Sequence, residues 1–548
     1  MRKGQTLLSA TGLLAALLII TTWPQAQYMS TKVAAHGDAL LSMWRLQWIT
    51  HALLTDARHL FDGNIFSPHV RTLAYTDATL LEGLLAFPFL WAHANPVLVY
   101  NSLLFGAMLA SGVAMFVLAR HLTGSADAAL VAATIFTIAP YRVEHFMHLE
   151  LQWTMWMPLA LWAVHRIFET GAMRFGALTG LLLALQAISC LYYGAYLGMM
   201  VAALTVMLAL SQPRLGRHAI GPLVLGAIVP AAIVFLYGQP YIANARELGT
   251  RNPSDVSTFS ATMLSYVTAP QQNWLWGWTA PRFHGEELRL LPGATALALA
   301  LAAFAHRARR LVWIYAAMAA LALALSLGFN GPLYRWLYRH FWALEAFRAP
   351  ARFGVLVLCA VAVLAGFGFQ YLQERAGRPR LRQAVFVAAL IFIGVESGSS
   401  PMPLWNVLRE PPDIYKVLKT FDHSVVIELP MVDWSLAPYY MYFSTVHWQS
   451  LVNGYSGYQP PDYAPTVDYM ETFPDDESMS RLRELHVRYV LVHGWFYKPA
   501  DYADMLLQAA ERHDLIPQGA FRDWMGPTQI FEVTPAPVVQ QRTRAGRE

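Results

Sequence analysis

Long apolar stretches separated by short polar ones fill most of the first 396 residues, and the pattern changes after Glu396. Eleven stretches are candidate membrane spans: 7–23, 96–118, 128–140, 151–167, 175–190, 192–210, 219–238, 290–305, 311–327, 351–372 and 384–394. Two of these, 128–140 and 384–394, fall well short of the roughly 17 residues that a lone spanning helix needs, so they require flanking residues or shelter among neighbours. The first follows the basic start Met1-Arg2-Lys3-Gly4. We read it as a retained helix in preference to a cleaved signal, because Pro24-Gln25-Ala26-Gln27 is a weak cleavage site.

Short loops rich in Arg stay cytoplasmic. Arg120, then Arg166 and Arg174, Arg214 and Arg217, Arg307, Arg309 and Arg310, and finally Arg375, Arg378, Arg380 and Arg382 fall in alternate loops. The N-terminus is therefore expected in the cytoplasm. The stretches 28–95, 241–289 and 329–350, with everything after Glu396, fall on the outer face of the cytoplasmic (inner) membrane. Within the first outer loop, 80–91 carries Glu82 and Pro88 and is too short to span comfortably. It and 40–54, with Trp44, Arg45, Trp48 and His51, read as helices lying along the interface.

After Glu396 the sequence alternates like a small α/β domain. Residues 424–429 and 487–492 read as buried strands and 529–533 as a last strand, while 477–486 and 500–513 read as helices. The expected architecture is an all-α polytopic membrane bundle over 1–396, an extracytoplasmic α/β domain over 397–534, and a disordered Pro-, Gln- and Arg-rich tail over 535–548.

Composition supports the division. Only 14% of the residues are charged, against about 25% in soluble chains, which excludes an ordinary soluble enzyme. Of the 35 acidic residues, 19 follow Glu396, where they are several times denser than before it. The net charge of +4 comes from the Arg-rich loops, not from a nucleic-acid-binding stripe. Cys190 and Cys359 lie in apolar stretches, so neither a disulfide framework nor a Cys-based zinc site is indicated.

The chemistry gathers in the outer loops. Asp38, close after the first span, is placed to meet a lipid-linked head group; as a residue opening a helix it is equally suited to capping that helix. Asp62 and Asn64 sit in a Gly-containing turn. The second cluster holds Arg142, Glu144, His145, His148 and Glu150 within nine residues, a spacing suited to a divalent metal such as Mg or Mn, or to phosphate, without a complete metal motif. A bland polar loop would look the same. In the third, Arg348 and Arg352 bracket Pro350 at the start of a span. Arginine grips phosphate oxygens in a bidentate way, and interfacial anchoring is the alternative. The loop 241–289 adds Arg246, Glu247, Arg251, Trp274, Trp276, Trp278, Arg282, His284, Glu286 and Glu287. In the C-terminal domain, the aromatic and Gly-rich stretch around Tyr455 and Tyr458 suits a loop that touches carbohydrate or covers the membrane site, and is also ordinary turn chemistry. No P-loop, Gly-x-Ser-x-Gly elbow or His-Glu-x-x-His occurs, so ATPase, serine hydrolase and zincin readings lack support.

Taken together, the basic first span, Gly37-Asp38 early in a large outer loop, interfacial helices, about a dozen spans and an outer C-terminal domain resemble the GT-C superfamily of integral membrane glycosyltransferases. The segments 62–68, 140–142, 347–353 and 453–458 look similar to those of an uncharacterised bacterial branch of that superfamily. The resemblance implies a polyprenyl-phosphate-linked sugar donor and a glycan, lipid or protein acceptor of the cell envelope. It also implies inverting transfer with Asp38 acting on the acceptor. Arg142, Arg348 and Arg352 are the candidate cations for the leaving phosphate. A flippase of lipid-linked saccharides is the competing reading, but it should carry charged or helix-breaking residues midway through its spans, and this chain keeps charge near span ends. A non-catalytic envelope-polymer assembly protein is the third.

Overall fold

In the computed structural model, which describes residues 3–407, 410–431, 433–523 and 526–534, each of the eleven apolar stretches is built around one main helix, although 151–167 is broken at 153–155. The chain divides into two compact units, Met1–Thr55 with Asp77–Val407, and Asp56–Thr76 with Leu408–Glu548. A piece of the first outer loop thus belongs with the C-terminal part of the chain, although the sequence reading groups the whole loop with the membrane bundle. The expectation for 535–548 lies outside the described residues.

The first unit is helical. Its helices are α1 (Lys3–Thr21), α2 (Gly37–Thr55), α3 (Leu80–Trp91), α4 (Pro96–Thr123), α5 (Ala126–Ile138), α6 (Pro140–Glu144), α7 (Leu149–Gln152), α8 (Trp156–Thr170), α9 (Met173–Ser189) and α10 (Leu191–Ser211). They continue with α11 (Pro213–Tyr237), α12 (Gln239–Leu248), α13 (Pro253–Thr258), α14 (Ala294–Ala302), α15 (Arg309–Ser326), α16 (Pro332–His340), α17 (Gly354–Arg375) and α18 (Pro379–Glu396). Six described helical segments are long and apolar enough to cross a bilayer, and four shorter apolar helices join them, α3 included. This is a multi-pass membrane protein.

The start and stop signals are local. Asn95 caps α4 by accepting from the N–H groups of Val97 and Leu98, and Pro96 occupies the first turn, where its missing N–H costs nothing. Gly124, at φ 72°, ends α4 in the left-handed conformation that closes many helices. Helix α17 is buried all along from Gly354 to Gln370 and packs on α5, α14 and α15, so it is the axis of the unit. A helix that is apolar on every side belongs inside a bundle. The close approach of α14 needs Gly368, where a Cβ would lie 1.7 Å from the Leu299 carbonyl oxygen. Glu396 is buried and caps α14, accepting from the N–H groups of Ala294 and, at 2.9 Å, Thr295. A short antiparallel pair, β1 (Lys32–Ala34) with β2 (Leu404–Asn406), ties the segment before α2 to the one after α18.

The second unit holds a five-stranded mixed sheet of β3 (Val425–Leu429), β4 (Ser450–Leu451), β5 (Val487–His493), β6 (Leu515–Asp523) and β7 (Gly526–Val533), in the order β4-β3-β5-β7-β6. Strands β3, β4 and β5 run parallel, while β7 is antiparallel to β5 and to β6. Its helices are α19 (Asp413–Leu418), α20 (Asp433–Ser444), α21 (Tyr463–Met470), α22 (Asp476–Glu484) and α23 (Pro499–Glu511). Ile427, Leu429, Val490, Val492, Met479 and Leu482 lie in its apolar core. The piece of first loop runs along β4: Leu451 donates its N–H to the Asn64 carbonyl (2.8 Å), and Ser67 donates to the Leu451 carbonyl (2.9 Å).

Candidate active site

The site lies in the first unit, where α2 begins, α5 hands over to α6 and α7, and the chain enters α14 and α17. Asp38 stands in the first turn of α2, where the helix dipole favours a carboxylate. It accepts from His148 Nδ1 at 2.8 Å and lies 3.6 Å from His36 Nδ1. The helix begins at Gly37, and the Asp38 carboxylate in its first turn meets His148. The Asp38 N–H donates to His36 Nδ1 at 3.1 Å, which leaves the neutral ring's proton on Nε2, 3.4 Å from Glu286.

Behind this pair, His145, His148 and Glu287 bring ligand atoms within 4.8 Å of one another. Both ring nitrogens of His145 are buried without a hydrogen-bond partner among the described residues, and Glu287 lies 3.9 Å from its Nδ1. Burial pushes the His145 ring down to about 3, so it is neutral. Burial would lower His148 too, but Asp38 overcomes it and holds His148 up to about 9, as an imidazolium. Glu287 takes φ 76°, an unusual backbone for a non-Gly residue and a mark of constrained sites. It accepts from Arg352 Nε at 3.0 Å and also from Nη2. Burial would raise the Glu287 carboxyl, but the Arg352 guanidinium holds it well below the usual carboxylate range.

The structure redistributes the predicted roles. Glu144 pairs with Arg289 (3.2 Å) and Glu150 with Arg45 (2.9 Å), so neither joins the two histidines; Glu287 takes their place. Arg352, expected to face phosphate, is engaged by Glu287. Arg348 is partly exposed and lies over the Phe259 ring at 5.4 Å. Arg142 is 1% exposed, its Nε and Nη1 have no partner, and Nη2 makes only a long 3.4 Å contact with the Gln152 carbonyl. Among the described residues Arg45, Arg289 and Arg352 each have a carboxylate, whereas Arg142 and Arg348 have none.

The other candidates are held elsewhere. Glu82 is buried and bonded to Ser189. Asp62 accepts from the Arg71 N–H (2.8 Å) as a turn residue, and Asn64 donates to Ser444 Oγ (3.1 Å) and the Gln449 carbonyl (3.0 Å). Tyr458 packs edge-on against Tyr75, and the Tyr455 N–H meets Met441 Sδ at 3.0 Å. These four belong to the second unit. His36, Glu286, Glu287 and Arg289 were visible only as polar residues in outer loops; the adjacent acids Glu286-Glu287 near a basic residue are the one local signal that pointed to them.

No protein-family model matches the chain, and no curated protein sequence does. Solved structures do. The archaeal oligosaccharyltransferase AglB of Archaeoglobus fulgidus, in complex with an inhibitory peptide and a dolichol-phosphate, aligns over 98% of this chain and 75% of its own, at TM-score 0.51 and 13% identity. The fold is that of the GT-C membrane glycosyltransferases. The arabinofuranosyltransferase AftD from Mycobacteria aligns over 96% of this chain at TM-score 0.64 and 14% identity, and this chain spans only 40% of it. ArnT from Cupriavidus metallidurans, bound to undecaprenyl phosphate, aligns over 98% of this chain and 99% of its own, at TM-score 0.50 and 10% identity.

A metal of the kind open in the sequence has donors here. The His145 ring and Glu287, with His148 once it has lost its proton, make a mixed imidazole and carboxylate set. Such a set suits a transition ion such as Mn or Zn better than Mg, which prefers oxygen throughout. Glu287 would turn part of its charge from Arg352 toward the ion, and His148 would first give up the proton that Asp38 holds on it.

Proposed function

We propose that this protein transfers a sugar from a polyprenyl-phosphate donor to an envelope glycan, lipid or protein acceptor, with inversion, at the outer face of the cytoplasmic membrane. The observation that carries the reading is the Asp38–His148 pair, set at the first turn of a buried helix beside Glu287 and Arg352. Solved structures of the same fold bound to dolichol-phosphate and to undecaprenyl phosphate support a lipid-phosphate donor.

In this reaction the acceptor oxygen forms a bond to the anomeric carbon as the bond from that carbon to the lipid phosphate oxygen breaks. Asp38 takes the acceptor proton, and His148 orients its carboxylate. The leaving phosphate gathers negative charge, which a preorganised cation stabilises best where water is excluded. Arg142 fits that role as a buried guanidinium with unspent donors, and Arg348 fits as a partly exposed cation six residues before α17. Arg352 instead fixes Glu287 in place. A divalent ion held by His145 and Glu287, and by His148 once that ring has given up its proton, would add positive charge at the reacting end of the site.

An Asp38→Asn variant that inserts normally is expected to lose about 10²–10⁴-fold in transfer, the usual share of a general base. Mass analysis of lipid-linked sugars and envelope glycans in cells with and without the protein reads it. Glycan modification kept in full by that variant would end the assignment of Asp38, and unchanged glycans on deletion would end the glycosyltransferase reading.

A further inference from the structure

Among the described residues, two charged contacts join α2 to the segment that carries the site histidines, one half-buried and one buried. The first is Asp38 with His148. The second is Arg45, which donates through Nη2 to Glu150 Oε2 at 2.9 Å. Arg45 lies seven residues after Asp38 on α2, two turns along and on the same face. Glu150 lies two residues after His148, at the start of α7. Arg45 is 1% exposed and Glu150 5%. The guanidinium also donates to Ser42 Oγ (2.8 Å) and to the Asp77 carbonyl (2.5 Å), so three pieces of chain meet on one side chain.

We infer that the Arg45–Glu150 ion pair is a positioning pair, which holds the His148 segment in register against α2 so that the Asp38 carboxylate keeps its orientation. A segment fixed by a single contact can swivel about it, and one fixed at two points two turns apart cannot. The pair costs desolvation, and a buried ion pair replaced by apolar residues of similar volume is often neutral or stabilising. Bare stability therefore does not account for it, whereas register does. Neither residue touches the reacting atoms in this scheme. Glu150 thereby leaves the list of metal or phosphate ligands and becomes the anchor of the segment that supplies them. The kinetic form of the inference rests on the proposed transfer reaction; its geometric form does not.

The double variant Arg45→Met with Glu150→Met removes both charges together, so neither charge is left buried alone, and gives up the guanidinium's bonds to Ser42 Oγ and the Asp77 carbonyl. In membranes given a radiolabelled polyprenyl-phosphate sugar, it should show KM for the donor unchanged and kcat about 10²-fold lower, the scale of a misplacement near 1 Å. Arg45→Lys, which keeps the charge but not the fork, should recover part of kcat. The activity-free arm places Asp38→Cys and His148→Cys in the full chain and follows closure by a short bis-methanethiosulfonate reagent. Closure should slow about tenfold or more when Arg45 and Glu150 are both Met. Wild-type kcat in the double variant, or an unchanged closure rate, overturns the positioning role. No transfer by the unmodified protein together with slowed closure would instead overturn the reaction and leave the positioning role standing.

Discussion

His145 and His148 sit three residues apart and are driven in opposite directions, and the difference reaches beyond the site. His145 is buried neutral and held near 3, so between about 3 and its ordinary value of 6.5 the unfolded chain binds a proton that the folded chain refuses. Stability therefore rises with pH across that window. His148 is held near 9 by Asp38, so its contribution is complete below 6.5 and is lost as pH rises toward and through 9. The two slopes meet near pH 6.5. Melting of the detergent-solubilised protein across pH 5 to 9.5 is expected to peak there, with the alkaline fall removed by His148→Gln. A second residue-level prediction concerns the metal. Purified protein incubated with Mn or Zn should bind one ion by elemental analysis, and His145→Ala, which removes the one ligand with no other partner, should cut the affinity about 10- to 100-fold or more.

At the scale of elements, packing leaves no room for side chains where helices meet closely. A Cβ at Gly176 of α9 would lie 2.0 Å from the Pro222 carbonyl oxygen of α11, a backbone atom that cannot swing aside. Gly176→Val should therefore part α9 from α11 and lower stability by at least the 1–3 kcal/mol typical of overpacking, read as a lower melting temperature. The elements that apolar pattern dictates were legible in the sequence: each long run is a helix, and 424–429, 487–492 and 529–533 correspond to β3, β5 and β7. Strand β4 escaped notice because it is only two residues long and leads into aromatic and Gly-rich chain. Strand β6 escaped because Pro517 and Gly519 interrupt its pattern, where the structure has an irregular register. In the candidate site, Asp38 stood out by its place just after the first span, and His145 and His148 by the crowding of polar residues around them. Their partners were not, because Glu287 and Arg352 are 65 residues apart and Arg45 and Glu150 are 105 apart. No local pattern encodes such a pairing.

At the scale of the whole molecule, the second unit draws on two separate parts of the chain. Asn64 donates two buried hydrogen bonds to it, Phe66 packs edge-on against Tyr463, and a Cβ at Gly454 would strike the Phe66 ring at 2.6 Å. The C-terminal stretch made without residues 56–76 should leave that edge of the sheet unpaired. Adding a 56–76 peptide is expected to raise its denaturation midpoint, and Asn64→Ala in the peptide should weaken the effect by about 1–3 kcal/mol. Because the two parts are separated by about 330 residues, there is also a consequence for biosynthesis. At about 5–20 residues per second, the early piece waits roughly 20–60 s for its partner to leave the ribosome. Ile65, Phe66 and Tyr75, all buried at the end, face water or a chaperone through that interval. The unit that looks like the last domain to be made is in fact begun among the first and closed among the last.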